Sequence, residues 1–167
     1  IARFFESASL PLAAAAGALA PGRPALPARL GDARRAVRIA ATRGLADQLP
    51  PHRPEAQEYR SYLQRHSELL QTQLELAVWL DRHRDPEAGA VVAALVQRWP
   101  DEPEVVLASA THRLRQGDTP GALAELESAV RVHPKSAPIW DALGRTRAGA
   151  GDLAGAEVAL QRSVELE

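Results

Sequence analysis

Apolar positions recur at helical spacing along most of the chain, and in its last third their pattern is repeated. Between 103 and 167 the same order of residues occurs twice, thirty-four residues apart, so that Gly117-Asp118 corresponds to Gly151-Asp152. The apolar positions that correspond at this offset are Ala122 with Ala156, Leu126 with Leu160, and Val130 with Val164. A period of this length is typical of arrays of helical hairpins.

Each copy contains two helical segments separated by a turn signal. The periodicity predicts helices over 103–115 and 120–132, divided by Gln116-Gly117-Asp118. Glycine favours the left-handed cap of the first helix, and aspartate caps the second. Small residues are expected where paired helices approach closely, and bulkier ones between hairpins. The small residues are Ala110, Ala122, Gly144 and Ala156.

The second copy also carries a recognisable spacing. Trp140, Leu143 and Gly144 form W-x2-L-G, and Ala156 and Leu160 form A-x3-L. This spacing resembles the tetratricopeptide repeat, a helix-turn-helix unit of about thirty-four residues. The resemblance implies an all-α fold, a right-handed superhelical α-solenoid of hairpins with accessory N-terminal helices.

An earlier, degenerate repeat is predicted upstream. Residues 54–84 contain no Gly or Pro after Pro54, which favours one long helix whose second half, from Leu69, is the first helix of that repeat. At the thirty-four-residue offset Leu80 aligns with Leu114, and Asp85-Pro86 begins the partner helix. We therefore expect three repeats, at 69–102, 103–136 and 137–167.

The N-terminal part has a different organisation. Residues 1–30 are interpreted as an apolar helix followed by a proline-rich extended linker over 21–29. Residues 31–68 are interpreted as accessory helices, the first running from Gly31-Asp32 to about Leu49 as half of a degenerate repeat. For the apolar run 8–20, a helix packed on the array competes with a remnant of a signal or anchor; its length and Pro11 argue against a membrane span.

Charge and composition exclude several classes of partner. The 167 residues carry a net charge of −1, which predicts no nucleic-acid partner and no membrane-surface binding. Cysteine is absent, so the compartment, cytoplasmic or periplasmic, stays open. One helix is rich in arginine, which predicts either a solvated face or a patch for an acidic partner. These arginines are Arg34, Arg35, Arg38 and Arg43.

No catalytic or cofactor motif accompanies the repeats. The five histidines show no pair at metal-ligand spacing on one helix face, and neither Gly-x-Ser-x-Gly nor a phosphate-binding glycine loop occurs. Acidic pairs such as Glu102 with Glu104 are interpreted as helix-terminal charges. We expect no enzymatic activity, no metal and no cofactor.

The resemblance implies that the first helices line a concave groove that receives a peptide or helix of a partner protein. Arrays that grip a C-terminal carboxylate use Asn and Lys where this chain has Leu107, Thr111 and Asp141, so that binding mode is not expected. Arg115 and Arg145 would instead bind an acidic segment, above an apolar floor. The alternative is that these are ordinary exposed positions. The predicted groove residues are Leu70, Gln73, Ala77, Asp81, Glu104, Leu107, Thr111, Arg115, Asp141 and Arg145.

The function expected is therefore protein–protein interaction or assembly. One alternative is an accessory repeat region of a larger enzyme or membrane-associated complex, whose catalytic part lies outside this chain. Another is that residues 4–20 lie in this protein's own groove or in that of a neighbouring copy, in a homo-oligomer.

Overall fold

The computed structural model describes residues 26–46 and 48–167, and within them all regular secondary structure is helical. The predicted all-α fold is therefore confirmed. The helices are α1 (Leu26–Arg29), α2 (Arg35–Gly44), α3 (Pro54–Arg65), α4 (Leu70–Arg82), α5 (Ala88–Arg98), α6 (Pro103–Arg115), α7 (Thr119–Val132), α8 (Ala137–Gly149) and α9 (Leu153–Leu166).

The described residues form two compact units, one ending at Thr72 and the other comprising Gln73–Glu167. In the first unit α2 packs against α3, and Tyr59 and Leu63 of α3 are buried with Ile39 and Ala40 of α2. Burial of its phenol raises the pKa of Tyr59 to about 12. This unit has its own apolar core.

Helix α2 is shorter than predicted. It begins at Arg35, and Asp32 accepts a hydrogen bond from the Arg34 amide at 2.9 Å, in a turn that precedes the helix. It ends at Gly44, before a turn in which Leu49 N donates to Leu45 O. Gly31-Asp32 therefore does not begin a helix in the way that Gly117-Asp118 does.

The linker prediction is wrong for its last residues. Residues 26–29 form the single turn α1, and the side chain of Leu26 lies against Gly44 of α2. The contact of the half-buried Leu26 with α2 offsets the low helix propensity of this proline-containing stretch. The predicted N-terminal helix and the rest of the linker lie outside the described residues.

The predicted long helix is divided in two. Helix α3 ends at Arg65. In a continuing helix the His66 amide would donate to Tyr62 O, but here the His66 side chain occupies that carbonyl, with Nδ1 2.8 Å from Tyr62 O. The His66 amide donates to Leu63 O instead. A side chain that competes for a backbone carbonyl in this way ends the helix. Helix α4 begins only at Leu70.

The second unit contains the rest of α4 and five further helices, which form hairpins α4–α5, α6–α7 and α8–α9. Gly117 and Gly151 adopt φ of +83° and +89° in the last two turns. The carboxylates of Asp118 and Asp152 each accept a 2.9 Å hydrogen bond from the glycine amide three residues later. Both predicted caps are confirmed.

The first of these hairpins has a different register from the one predicted. The Asp85 amide donates to Leu80 O at 2.9 Å, as the Asp118 amide donates to Arg113 O at 2.9 Å, so Leu80 corresponds to Arg113 and not to Leu114. Small buried Ala77 likewise corresponds to buried Ala110. The first helices are therefore thirty-three residues apart, because the turn after Asp85 is one residue shorter.

The two C-terminal hairpins share a continuous core. Leu126 of α7 and Ile139 and Leu143 of α8 are buried, and Glu127 of α7 forms a 2.8 Å ion pair with Arg147 of α8. Trp140 packs against this core and donates from Nε1 to Pro134 O at 3.0 Å. These contacts stack one hairpin on the next, as in an α-solenoid.

Candidate functional site

A groove lies between α4 and α6, the first helices of two successive hairpins. Its cavity has a volume of about 330 Å³, with Val92 of α5 also in its lining. Its walls are mainly aliphatic. The aliphatic residues contributed by α4 and α6 are Leu74, Ala77, Val78, Leu107 and Ala108.

The register of the hairpins explains these walls. Leu74 occupies the position on α4 that Leu107 occupies on α6, and Val78 occupies that of Thr111. Residues at these positions lie one helical turn apart, so they form a stripe along the groove. The Thr111 hydroxyl donates to Leu107 O at 2.7 Å within its own helix. The middle of the groove therefore presents apolar surface.

At one end of the groove a buried carboxylate joins the two helices. Asp81 of α4 is only 8 % exposed. Its Oδ1 lies 2.8 Å from His112 Nδ1, and its Oδ2 lies 2.9 Å from Arg115 Nε, both on α6. A carboxylate buried to this extent needs such partners. Asp81 thus fixes α6 beside α4 and holds Arg115 at the end of the groove.

A second, polar cavity of about 720 Å³ begins at the same end. Asp81 and Arg115 line it as well as the groove, together with His112, Arg84 and Asp85. The two cavities therefore meet at the Asp81–Arg115 ion pair. The groove changes there from apolar to charged.

The structure brings six of the ten predicted residues together around this one cavity. They are Ala77, Asp81, Glu104, Leu107, Thr111 and Arg115. The other four lie elsewhere: Leu70 and Gln73 are half-buried on α4 and do not line it, and on α8 Asp141 pairs with Arg145 at 2.9 Å.

Sequence reasoning missed Leu74, Val78 and Ala108 in the walls and His112 beside Asp81. Applying the thirty-four-residue offset to α4 shifted the predicted groove positions on this helix by one residue. The available signal was the turn: aligning Asp85 with Asp118 gives the thirty-three-residue offset that places Leu74 and Val78 correctly.

The arginine-rich helix of the first unit is paired within the chain. Arg38 binds Glu58 at 2.7 Å, Arg35 binds Glu58 at 3.3 Å, and Arg34 binds Asp32 at 3.1 Å. The Arg38 guanidinium lowers the pKa of Glu58, and Arg34 lowers the pKa of Asp32. These pairs favour a solvated structural face.

Neither a metal centre nor a membrane span was found in the part of the chain that the structure describes. Within residues 26–46 and 48–167, His, Asp and Glu side chains form no group of three or more that could hold a metal ion. The helices of the same residues are too short or too polar to cross a bilayer.

Comparison with known families agrees with the hairpin geometry. The family model described as tetratricopeptide repeat matches residues 103–146, which include α6, α7 and most of α8. This part of the chain is a tetratricopeptide repeat. No curated protein matches it. That residues 69–102 and 137–167 are repeats of the same kind stays a prediction, supported by the equivalent turns.

The family indicates the general role. Tetratricopeptide repeats are protein–protein interaction modules and are typically non-catalytic. A protein partner is therefore the class of ligand to consider for the groove.

Proposed function

We propose that this protein binds a peptide or helix of a partner protein in the groove between α4 and α6. The observation that carries the proposal is the aliphatic surface left open there: Val78 is 45 % exposed and lies with Leu74 and Leu107 around the same cavity. Removing such side chains from water stabilises a complex by about 25 cal/mol per Å² of apolar area.

The shape of the groove suits one segment rather than a flat surface. Glu104 and Arg115 lie near its two ends, eleven residues apart on α6, which corresponds to roughly 16 Å along the helix axis. A segment of this length presents two or three side chains to the cavity, as in helix-in-groove recognition.

The two arginines expected to bind an acidic segment differ in their surroundings. Arg145 pairs with Asp141 on α8 and lies away from the cavity. Arg115 Nε lies 2.9 Å from Asp81 Oδ2, and the arginine side chain is still 42 % exposed. We therefore assign the charged contact to Arg115 and leave Arg145 out of the binding surface.

A photocrosslinking amino acid placed at position 78, in the full chain expressed in its source cells, tests the proposal. We expect a defined protein adduct from position 78, and none from position 158, where Val158 is 64 % exposed on α9 and lines neither cavity. The additional substitution Leu107→Asp should abolish the adduct while the helical content is kept.

The same adducts from positions 78 and 158, or an adduct that persists with Asp at position 107, would show that the groove is not the binding surface. Circular dichroism of each variant separates this outcome from unfolding.

A further inference from the structure

We infer that the segment bound in the groove has an apolar stretch flanked on one side by acidic residues, which lie at the Arg115 end. This inference rests on the proposed function and adds the chemistry and direction of the ligand. It follows from the charges at the two ends of the groove and from the cavity that continues beyond one of them.

The two ends carry opposite charges. At the beginning of α6, Glu104 is exposed and makes no ion pair among the described residues. At the end of α6, Arg115 Nε lies 2.9 Å from Asp81 Oδ2, and 42 % of the arginine side chain stays exposed to a further acceptor. Because an exposed guanidinium forms short charge-assisted hydrogen bonds to carboxylates, an acidic side chain is favoured at this end and disfavoured at the other.

The polar cavity extends the positive end. Arg84 lies in the turn between α4 and α5, is exposed, and lines this cavity with Arg115. The lining also contains Arg82 and the carboxylates of Asp81 and Asp85, so guanidinium groups outnumber carboxylates by three to two. Asp81 is buried and already contacts Arg115. A ligand that leaves the apolar groove past Arg115 thus meets a second guanidinium.

The positive end therefore favours carboxylates, and the aliphatic walls favour Leu-, Ile- or Val-like side chains. A partner segment with this order of residues matches the groove in one direction only. The opposite direction would place its carboxylates beside Glu104, where like charges repel.

The probe for this inference is a phage-displayed library of random peptides of about twelve residues, roughly 18 Å long as a helix. We expect the full chain to select peptides with an aliphatic stretch and Asp or Glu on one side of it. The double variant Arg84→Gln/Arg115→Gln should still select the aliphatic stretch but lose the acidic preference, with affinity for the wild-type peptides reduced about tenfold or more.

The matched control is Arg131→Gln/Arg162→Gln, which removes the same charge from exposed positions on α7 and α9. It should select the same peptides as the wild type. As a second measurement that needs no variant, added salt should weaken binding of the acidic peptides by the wild type more than binding of their Asn/Gln analogues.

Peptides without an acidic preference, or salt-independent binding, would overturn the inference and leave the proposed function standing. If the double variant Val78→Asp/Leu107→Asp selects the same peptides as the wild type, the proposed function and this inference are both contradicted. The same holds if the wild type selects no peptides at all.

Discussion

Gly144 of α8 lies directly against Leu160 of α9, so closely that a methyl group at position 144 would come 2.6 Å from Leu160 Cγ. Replacing Gly144 with leucine should lower the free energy of unfolding by about 1–3 kcal/mol, because the larger side chain has to displace Leu160 from the hairpin core. Thermal or urea unfolding measures this change.

Gly149, at the end of the same helix, provides the control. A methyl group there would meet nothing within 4 Å, so Gly149→Ala should be neutral or stabilise the protein by up to about 1 kcal/mol. Destabilisation of similar size by both substitutions would mean that contact with Leu160 is not the cause.

The cap of α9 is separately testable. The Asp152 carboxylate accepts a hydrogen bond from the Gly155 amide at 2.9 Å, and Asp152→Ala should lower the free energy of unfolding by about 1 kcal/mol. Asp152→Asn keeps an oxygen that can accept this hydrogen bond, so it should lower the free energy of unfolding clearly less. Equal losses for Ala and Asn would assign the effect to the charge, not to the cap.

The backbone at Arg84 predicts a stabilising substitution. Its φ is 54°, in the turn that corresponds to those of Gly117 and Gly151. Since glycine adopts this conformation without strain, Arg84→Gly should raise the free energy of unfolding by about 0.5–1 kcal/mol.

Gly117→Ala, the converse change, should lower the free energy of unfolding by about 1 kcal/mol, because only the backbone conformation opposes the methyl group. If Arg84→Gly destabilises the protein, contacts of the arginine side chain outweigh the backbone strain.

The first unit should lose stability in acid through Glu58. Hydrogen bonds from Arg38 lower the pKa of this carboxyl in the folded state below its usual 4.5. The stability that Glu58 contributes is therefore fully present above the pKa of this carboxyl in the unfolded state. It is lost as the pH falls through that pKa towards the lower pKa of the folded state.

Glu58→Gln should lower the melting temperature near neutral pH, and variant and wild type should converge once the pH has fallen below the folded-state pKa of Glu58. The control is Glu68→Gln, an exposed carboxylate that forms no ion pair in the described residues. A wild-type–variant difference that stays constant with pH would exclude protonation of Glu58 as the cause.

Features of the fold that depend on local chemistry could be predicted from the sequence. Gly117-Asp118 and its copy predicted two turns and two caps, because glycine and aspartate have strong conformational preferences. The division at His66 and the short turn after Asp85 escaped prediction. Each depends on one hydrogen bond, His66 Nδ1 to Tyr62 O or the Asp85 amide to Leu80 O, for which periodicity gives no signal.

The candidate site was predictable only in part for the same reason. Residues of α6 followed from the clear repeat, whereas those of α4 required the one-residue correction. The pairing of Asp81 with His112 and Arg115 connects residues more than thirty positions apart, and it became visible only when the helices were placed side by side.

In the proposed binding mode, Asp81 also preorganises the groove for the partner segment. Because its carboxylate holds Arg115 by Nε, the guanidinium is already oriented before a partner arrives. Ordering a long side chain on binding costs about 0.5–1.5 kcal/mol, and most of that cost is absent here. In the proposed complex Asp81 would thus strengthen binding by orienting Arg115, and its effect would be found in the entropy of association rather than in a contact of its own.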